Sequence, residues 1–163
     1  MAFDRQEPTP DNNYQTTNAK IILDSYKYLL NHDLLAATDD DPTTAAQNLY
    51  QAPFVVVAHD TAPDPIFFYA NLTAQHLFAM NWHDFVRLPS RYSAEPINQE
   101  ERRDLLERVT NHGYIDDYSG VRISSDGRRF HIEQATVWNL SNKTGAPVGQ
   151  AATFSIWNPL TGT

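Results

Sequence analysis

The carboxy-terminal third of the chain, residues 114–157, limits the possible folds more than any other stretch. It reads YIDDYSGVRISSDGRRFHIEQATVWNL, followed by the polar loop SNKTGAP and then VGQAATFSIW. Asp126 and Gly127 lie between two alternating runs, which is a strong hairpin signal because glycine adopts positive φ without steric cost. We therefore predict three consecutive antiparallel strands, and the middle one, residues 128–140, is long enough to need neighbours on both sides.

Alternation along these strands predicts one apolar face, since successive side chains of a strand point to opposite sides of a sheet. On the middle strand that face would carry Phe130, Ile132, Thr136, Trp138 and Leu140. On the last strand it would carry Val148, Ala152, Phe154 and Ile156. An apolar sheet face has to be covered, so the rest of the chain should supply helices that pack on it.

The amino-terminal half predicts an arm, two helices and two strands. Residues 1–17 are polar and contain two prolines, which is typical of a flexible arm. Residues 18–37 have an apolar stripe at helical spacing, and Asp41 before Pro42 predicts the start of a short helix. Residues 53–59 and 66–71 are apolar and β-branched or aromatic, so we predict two buried, paired strands.

The middle of the chain predicts three helices before the carboxy-terminal sheet. Asn71 and Asn81 can cap two short helices, and Asn98 followed by Glu101 has the form of a capping box that opens a helix over residues 99–111. Gly113 would end that helix. Its predicted inner face carries Leu105, Leu106 and Val109, and its predicted solvent face carries Glu100, Glu101, Arg102, Arg103, Asp104, Glu107 and Arg108.

Composition excludes several classes of function. The chain has 163 residues and no cysteine, so disulfides, thiolate nucleophiles, cysteine-based zinc sites and iron–sulfur clusters are excluded. A net charge of -8 argues against nucleic acid as a direct partner. No apolar run reaches the roughly 20 residues of a membrane span, and the start of the chain is too polar for a secretory signal. We expect a soluble, cytoplasmic protein.

Several separated strings match a known family. The strand and helix at residues 66–78, IFFYANLTAQHLF, resemble the second strand and first helix of PAS domains. Over residues 21–157 the chain more specifically resembles the MEKHLA family, a PAS-related group, although the literal Met-Glu-Lys-His-Leu-Ala string is absent. The matching strings are LPSR at 88–91, AEP at 94–96, GYIDDYSGVRIS at 113–124, GRRF at 127–130, VWN at 137–139 and GQAATFS at 149–155.

The resemblance implies a PAS-like α+β fold, with a five-stranded antiparallel sheet in the order 2-1-5-4-3 and helices over one face. The domain organisation would be an arm at 1–17, a helical extension at 18–52, the PAS-like domain at 53–158 and a tail at 159–163. It also implies a sensory or regulatory module of the stand-alone bacterial or cyanobacterial type, with no catalysis of its own. Its output would pass in trans to an effector protein.

A ligand pocket between the sheet and the helices would follow from this fold. Gln134 and Gln150 each interrupt an apolar strand face, and a buried amide needs hydrogen-bond partners, which a ligand or neighbouring protein groups could supply. The residues that we expect to line the pocket are Tyr69, Asn71, Phe85, Tyr92, Tyr118, Phe130, Gln134, Trp138, Gln150 and Phe154.

The sequence gives less support for a metal site or a bound cofactor than for a ligand pocket. His131 and Glu133 share a strand face and could form a metal site with His59, although an exposed, paired role for them is the simpler interpretation. His112 could ligate a haem, but a helix carboxy-terminus favours a histidine there anyway. A flavin–cysteine adduct is excluded, whereas non-covalent flavin or haem is compatible with the sequence and supported by no motif.

Three functions are compatible with these patterns. The first is a sensor that binds a small ligand or a partner and signals through helix 18–37, whose apolar stripe could dock on the sheet or form a homodimer. The second is a small, cone-shaped α+β enzyme with His131, Glu133 and His59 in a polar cavity. The third is a ligand-free interaction scaffold. Three helices between the second and third strands favour the sensor.

Overall fold

The fold is an antiparallel sheet with helices on both faces. The computed structural model describes residues 3–36 and 41–160, without the side chains at 96 and 97. Residue 37 of the predicted first helix, the first two residues of the arm and the last three of the tail lie outside the described residues. The first helix ends at Leu30, where Asn31 adopts a left-handed φ of 65, so its predicted continuation through residue 36 is wrong. The helices are α1 (Thr16–Leu30), α2 (Pro42–Tyr50), α3 (Leu72–Leu77), α4 (Trp82–Phe85) and α5 (Pro96–His112). The strands are β1 (Val55–His59), β2 (Phe67–Ala70), β3 (Tyr114–Ile123), β4 (Arg129–Ser141), β5 (Pro147–Phe154) and β6 (Ile156–Pro159).

The strand order β2-β1-β5-β4-β3 confirms the predicted topology. The predicted last strand is in fact two strands, because β6 leaves β5 and pairs with the first half of β4, from Phe130 opposite Pro159 to Glu133 opposite Ile156. The second half of β4 pairs with β5. Since β3 pairs with β4 along its other edge, β4 has the two sets of neighbours that its length required.

A bulge in β4 overturns the predicted single apolar face. Gln134 has φ 52, a left-handed conformation that interrupts the alternation of the strand. Phe130 and Ile132 before it, and Val137 after it, belong to the core cluster on one face, whereas Trp138 belongs to the cluster on the other. One strand therefore serves two cores, and the grouping of Phe130 and Ile132 with Thr136, Trp138 and Leu140 is wrong.

A second irregularity shows that the predicted apolar face of β5 is wrong. The register of β4 against β5 shifts between Leu140 and Ser141. Val148 consequently packs in the opposite core from Phe154. Ile156, which we had placed on the same face, lies on β6 and is 39% exposed.

Each face of the sheet has its own helical cover. Helices α3, α4 and α5 lie over the face that carries Val55, Val57 and Phe154, as the resemblance implied. The amino-terminal extension, α1 and α2, covers the other face and contributes Ile22 and Leu49 to that core. None of the described helices combines the length and the apolarity needed to cross a bilayer.

Helix α1 is fixed to the sheet mainly by Trp138, which is fully buried. The Trp138 indole nitrogen donates to the Ile22 carbonyl at 3.3 Å, and the ring meets that of Tyr26 edge to face at 4.9 Å. The hydroxyl of Ser25 accepts from the backbone nitrogen of Ser141 at 3.1 Å. The apolar stripe of α1 is thus occupied by the sheet of its own chain.

The described part of the predicted flexible arm is packed against the rest of the domain. The Phe3 ring stacks on the Phe68 ring with their centroids 3.6 Å apart. Arg5 forms an ion pair with Asp60 at 2.7 Å, and its carbonyl accepts from the Trp82 indole at 2.9 Å. Burial of one aromatic side chain contributes about 1.5–3 kcal/mol, which is enough to hold a short polar segment in place.

The predicted caps mostly form, with one exception. Asp41, Asn71 and Asn81 accept from backbone amides of α2, α3 and α4. Helix α5, however, begins at Pro96 with Glu95 as its cap, so the capping box predicted at Asn98 is wrong. Proline favours the first position of a helix because its fixed φ suits that place and its missing N–H is not needed there.

Gly113 ends α5 where α5 meets α1. Its φ of 96 is a conformation that glycine adopts readily, and its amide donates to the Val109 carbonyl at 2.8 Å. A Cβ at this position would lie 3.2 Å from the Leu29 side chain of α1. The ends of the two helices are therefore in direct contact.

We expect Asn71→Ala to lower the free energy of unfolding by about 2–4 kcal/mol, because it leaves buried backbone groups without partners. The Asn71 amide accepts from Val56 and Ala74 and donates to Leu49 and Phe54. Urea unfolding would measure the loss. The exposed cap variant Asn81→Ala, which removes one such bond, should cost only about 1 kcal/mol, and equal losses would contradict this account.

Substitutions at Gln134 test the bulge. Gln134→Gly should keep or raise the free energy of unfolding, by up to about 1 kcal/mol, because glycine adopts positive φ without a Cβ clash. Gln134→Val should lower it by about 1–2 kcal/mol, because a β-branched residue is strained there. A valine variant as stable as the glycine variant in urea would be inconsistent with a left-handed residue at this point.

Candidate functional site

A cavity of about 60 Å³ lies between the sheet and α5. Its apolar lining comes from four strands, from the residues that follow α3 and from the inner face of α5. The apolar residues that line it are Val57, Ala58, Phe67, Phe78, Leu105, Leu106, Ile132, Ala135, Val137, Ala151, Ala152 and Phe154. Polar side chains converge on the same space, namely His59, Ser93, Arg102, Tyr118, Arg122 and Gln150. Apolar walls with a few convergent polar groups are typical of a small-molecule site.

Arg102 was predicted on the solvent face of α5, and the structure shows that this prediction is wrong. The side chain lies inside, and the residue is only 9% exposed. Residues three, four and seven positions apart share one side of a helix, so Arg102 lies on the same stripe as Leu105, Leu106 and Val109. That spacing was visible in the sequence, but a charge in a highly charged run favoured the solvent interpretation.

The two arginines of the cavity have neutral partners. One guanidinium nitrogen of Arg102 donates to the Ser90 hydroxyl at 2.6 Å, and one of Arg122 donates to the Val121 carbonyl at 2.8 Å. Within residues 3–36 and 41–160, no carboxylate lies within 4.0 Å of either guanidinium. Burial lowers the pKa of Arg102 to about 10, and the positive charge of Arg122 contributes in the same direction.

Tyr118 lies between the cavity and the protein surface. Its ring faces the Arg122 guanidinium at 5.4 Å, and its hydroxyl donates to Glu101 at 3.4 Å. A Cβ at residue 120 would lie only 2.2 Å from that hydroxyl oxygen, so Gly120 provides the room for the ring. Tyr118 and Leu105 also line a groove between α5 and β3 on the surface. They separate that groove from the cavity.

His59 offers an unused acceptor. The residue is 8% exposed, and its Nδ1 lies 2.9 Å from the Asp60 carbonyl oxygen, which can only accept. Nδ1 therefore carries the proton, and Nε2 has a free lone pair. In the described part of the chain, Nε2 is buried and has no hydrogen-bond partner. Burial is the main cause that lowers the pKa of His59 to about 4, so the ring is neutral at pH 7.

Gln150 is held by the protein around it. Its side-chain nitrogen lies 3.0 Å from the Asn139 amide oxygen, 3.0 Å from the Thr110 hydroxyl and 3.2 Å from the Leu106 carbonyl. Neighbouring groups thus satisfy this amide nitrogen, which was one of the two alternatives for Gln150. Gln134 lies on the exposed bulge and away from the cavity.

The structure brings three of the ten predicted pocket residues to the cavity, namely Tyr118, Gln150 and Phe154. Phe85 and Phe130 pack in the same core without lining the space. Tyr69 and Trp138 belong to the core on the other face, where Trp138 supports α1 and Tyr69 meets the ring of Trp82, the first residue of α4. Asn71 is a fully buried cap, and Tyr92 is 50% exposed. The two charged residues of the cavity, Arg102 and Arg122, were not among the predicted pocket residues.

The predicted metal triad does not assemble. His131 and Glu133 lie 3.8 Å apart and partly exposed, on the face of β4 opposite to Ile132, whereas His59 lines the cavity on the other side of the sheet. Among the described residues, no three histidine, aspartate or glutamate side chains are grouped closely enough to hold a metal ion. His112 is exposed at the end of α5 and does not line the cavity.

The sheet order, the helices between β2 and β3 and the cavity beneath α5 define a PAS-like α+β domain. A family model described as the MEKHLA domain matches residues 16–159, so the chain belongs to the MEKHLA family. No curated protein sequence matches the chain.

Solved structures share the fold at low identity. A PAS domain of a protein from Colwellia psychrerythraea is 16% identical, with a TM-score of 0.59, over 72% of this chain and 95% of that chain. An RNA-binding light-oxygen-voltage receptor is 17% identical, with a TM-score of 0.58, over 75% of this chain and 35% of that chain. A light-oxygen-voltage domain studied with a flavin analogue is 20% identical, with a TM-score of 0.51, over 72% and 85%.

The cavity does not fit a flavin or a haem. Sites for molecules of drug size occupy about 300–1,000 Å³. The cavity here has about 60 Å³, and the side chains of Phe78, Tyr118 and Phe154 bound it. The chain also contains no cysteine for a photo-adduct. The residues present suit a much smaller molecule.

We expect the stability of the protein to fall between pH 6.5 and about pH 4 because of His59. Its pKa is lower in the folded state, so the unfolded state binds more protons in this window, and folding loses up to about 3 kcal/mol as the pH falls through it. Urea unfolding at several pH values would show a shallower slope for His59→Gln. The exposed control His83→Gln should keep the wild-type slope, and an unchanged slope in His59→Gln would contradict the assignment.

Proposed function

We propose that this chain is a sensory module that binds a small molecule in the cavity under α5 and reports its presence through α1 on the opposite face of the sheet. One observation carries the proposal: two buried guanidinium groups and a buried imidazole acceptor line an apolar cavity, and no carboxylate of residues 3–36 and 41–160 lies within 4.0 Å of either guanidinium. Such groups are costly to bury for structural purposes alone. Membership of a PAS-related family supports the same function.

A short chain of contacts connects the cavity with α1. Gln150 on the cavity side binds the Asn139 side chain at 3.0 Å, and Asn139 in turn donates to the Val109 carbonyl of α5 at 2.9 Å. Asn139 lies on β4 between Trp138 and Leu140, whose side chains pack in the core beneath α1. A ligand that displaces Gln150 or α5 would therefore change the packing surface of α1.

The output of the module would pass to an effector protein in trans, and we propose that the chain catalyses no reaction itself and acts in the cytoplasm. The apolar stripe of α1 is occupied, so a homodimer through the first helix would use its outer side, where Tyr28 is 84% exposed. Light scattering during size-exclusion chromatography of the full chain tests this, since Tyr28→Ser should then weaken the dimer. A monomer in the wild type would remove the homodimer from the proposal.

Filling the cavity tests the sensor. Ala135 is fully buried and lines the cavity, so Ala135→Val places two methyl groups in the space that a ligand would use. We expect wild-type protein purified from its own host to carry a small bound molecule in native mass spectrometry, and the variant to have lost it. Hydrogen–deuterium exchange of α1 should also differ between the two proteins.

The matched control is Ser119→Val, which adds a similar side chain to the paired strand β3 at an exposed position outside the cavity. It should leave both the bound mass and the exchange of α1 as in the wild type. Protein without any bound molecule, together with identical exchange of α1 in wild type and Ala135→Val, would instead indicate a ligand-free scaffold.

A further inference from the structure

We infer that the cavity ligand is a small carboxylate that also carries a hydrogen-bond donor, of the hydroxy-acid class. Its carboxylate would meet the guanidinium groups of Arg102 and Arg122, and its donor would meet Nε2 of His59. This inference rests on the proposed function, because it assumes that the cavity is a ligand site, and it adds the chemical class of the ligand.

The positive charges of the two guanidinium groups favour an anionic ligand. Arg102 and Arg122 are 9% and 8% exposed, and each has one neutral hydrogen-bond partner, a serine hydroxyl and a backbone carbonyl. A guanidinium presents a planar fork of N–H donors, so most donors of each group remain available. A carboxylate accepts two parallel hydrogen bonds from such a fork. Placed between them, it would also offset the repulsion between two like charges.

The size and lining of the cavity select among anions. The space of about 60 Å³ suits a molecule with two or three carbon atoms, since sites for drug-sized molecules occupy about 300–1,000 Å³. A nucleotide is far too large. The walls at Val57, Ile132 and Ala135 are apolar and suit a short carbon body, whereas a fully polar oxyanion such as sulfate would leave oxygens against them without partners.

His59 adds a second requirement. Its proton is on Nδ1, where it is bonded to the Asp60 carbonyl, so Nε2 can only accept. In the described part of the chain this atom is buried without a partner, and a buried acceptor is costly when it stays unpaired. A hydroxyl group on the ligand would supply the missing hydrogen. Glycolate and lactate meet this requirement, and propionate does not.

The probes are therefore sodium glycolate, lactate and propionate, with sodium chloride at matched ionic strength as the reference. Calorimetric titration of the full chain should show binding of glycolate or lactate, with propionate about tenfold weaker or more. Arg102→Met should weaken the binding of the hydroxy acids by about tenfold or more, since it removes a guanidinium that would bind the carboxylate. His59→Leu should bring the affinities for lactate and propionate close together.

Two controls distinguish a ligand contact from a structural role of Arg102. Arg103→Met alters the exposed neighbour of Arg102 on the same helix and should bind as the wild type does. Arg102→Met should be at least as stable as the wild type in urea, because it removes a buried charge that has no carboxylate within 4.0 Å in the described part of the chain. A gain or retention of stability with a loss of binding separates a ligand contact from a structural role. Undiminished binding in Arg102→Met would overturn the inference.

The outcomes also separate this inference from the proposed function. If none of the carboxylates binds while Ala135→Val still changes the exchange of α1, the ligand class is wrong and the sensor stands. If lactate binds in an Arg102-dependent way without any change in α1, the ligand class is supported and the route of signalling is wrong.

Discussion

The left-handed residue in the middle of β4 is the constraint on which the rest of the structure depends. A regular strand would present Phe130, Ile132 and Trp138 on one side of the sheet. The bulge at Gln134 instead directs the first two toward the cavity face and Trp138 toward α1. One strand thereby forms part of the cavity wall and the surface on which α1 packs, so the two cores share a single piece of backbone.

The sheet is buried on both sides along much of its length. All five residues of β1 are buried, because α5 and its neighbours cover one face and the amino-terminal extension covers the other. A strand in this position has no solvent-facing side, and its sequence is accordingly a continuous apolar run rather than an alternating one. The extension is therefore an integral layer of the domain rather than an appendage.

Much of the architecture could be predicted from the sequence. The Asp-Gly hairpin, the asparagine caps and the buried strand at β1 depend on local chemistry, and the strand order followed from the resemblance of separated strings. Two kinds of feature could not be predicted. The bulge at Gln134 has no local signal, since neither glycine nor asparagine marks it. The burial of Arg102 depends on what lies opposite α5, and the surrounding charges favoured solvent.

For the same reason most of the residues predicted to line the pocket lie away from the cavity, and the prediction omitted its two arginines. Aromatic residues were natural candidates, yet Tyr69 and Trp138 lie beyond the sheet, where the shifted alternation puts them. The position of Gly113 has a further consequence for which residues this site can accept. Any larger residue there would have to adopt the φ of 96, which side chains with a Cβ rarely do, and would also displace the Leu29 side chain, so a single substitution would disturb the end of α5 and the first helix together.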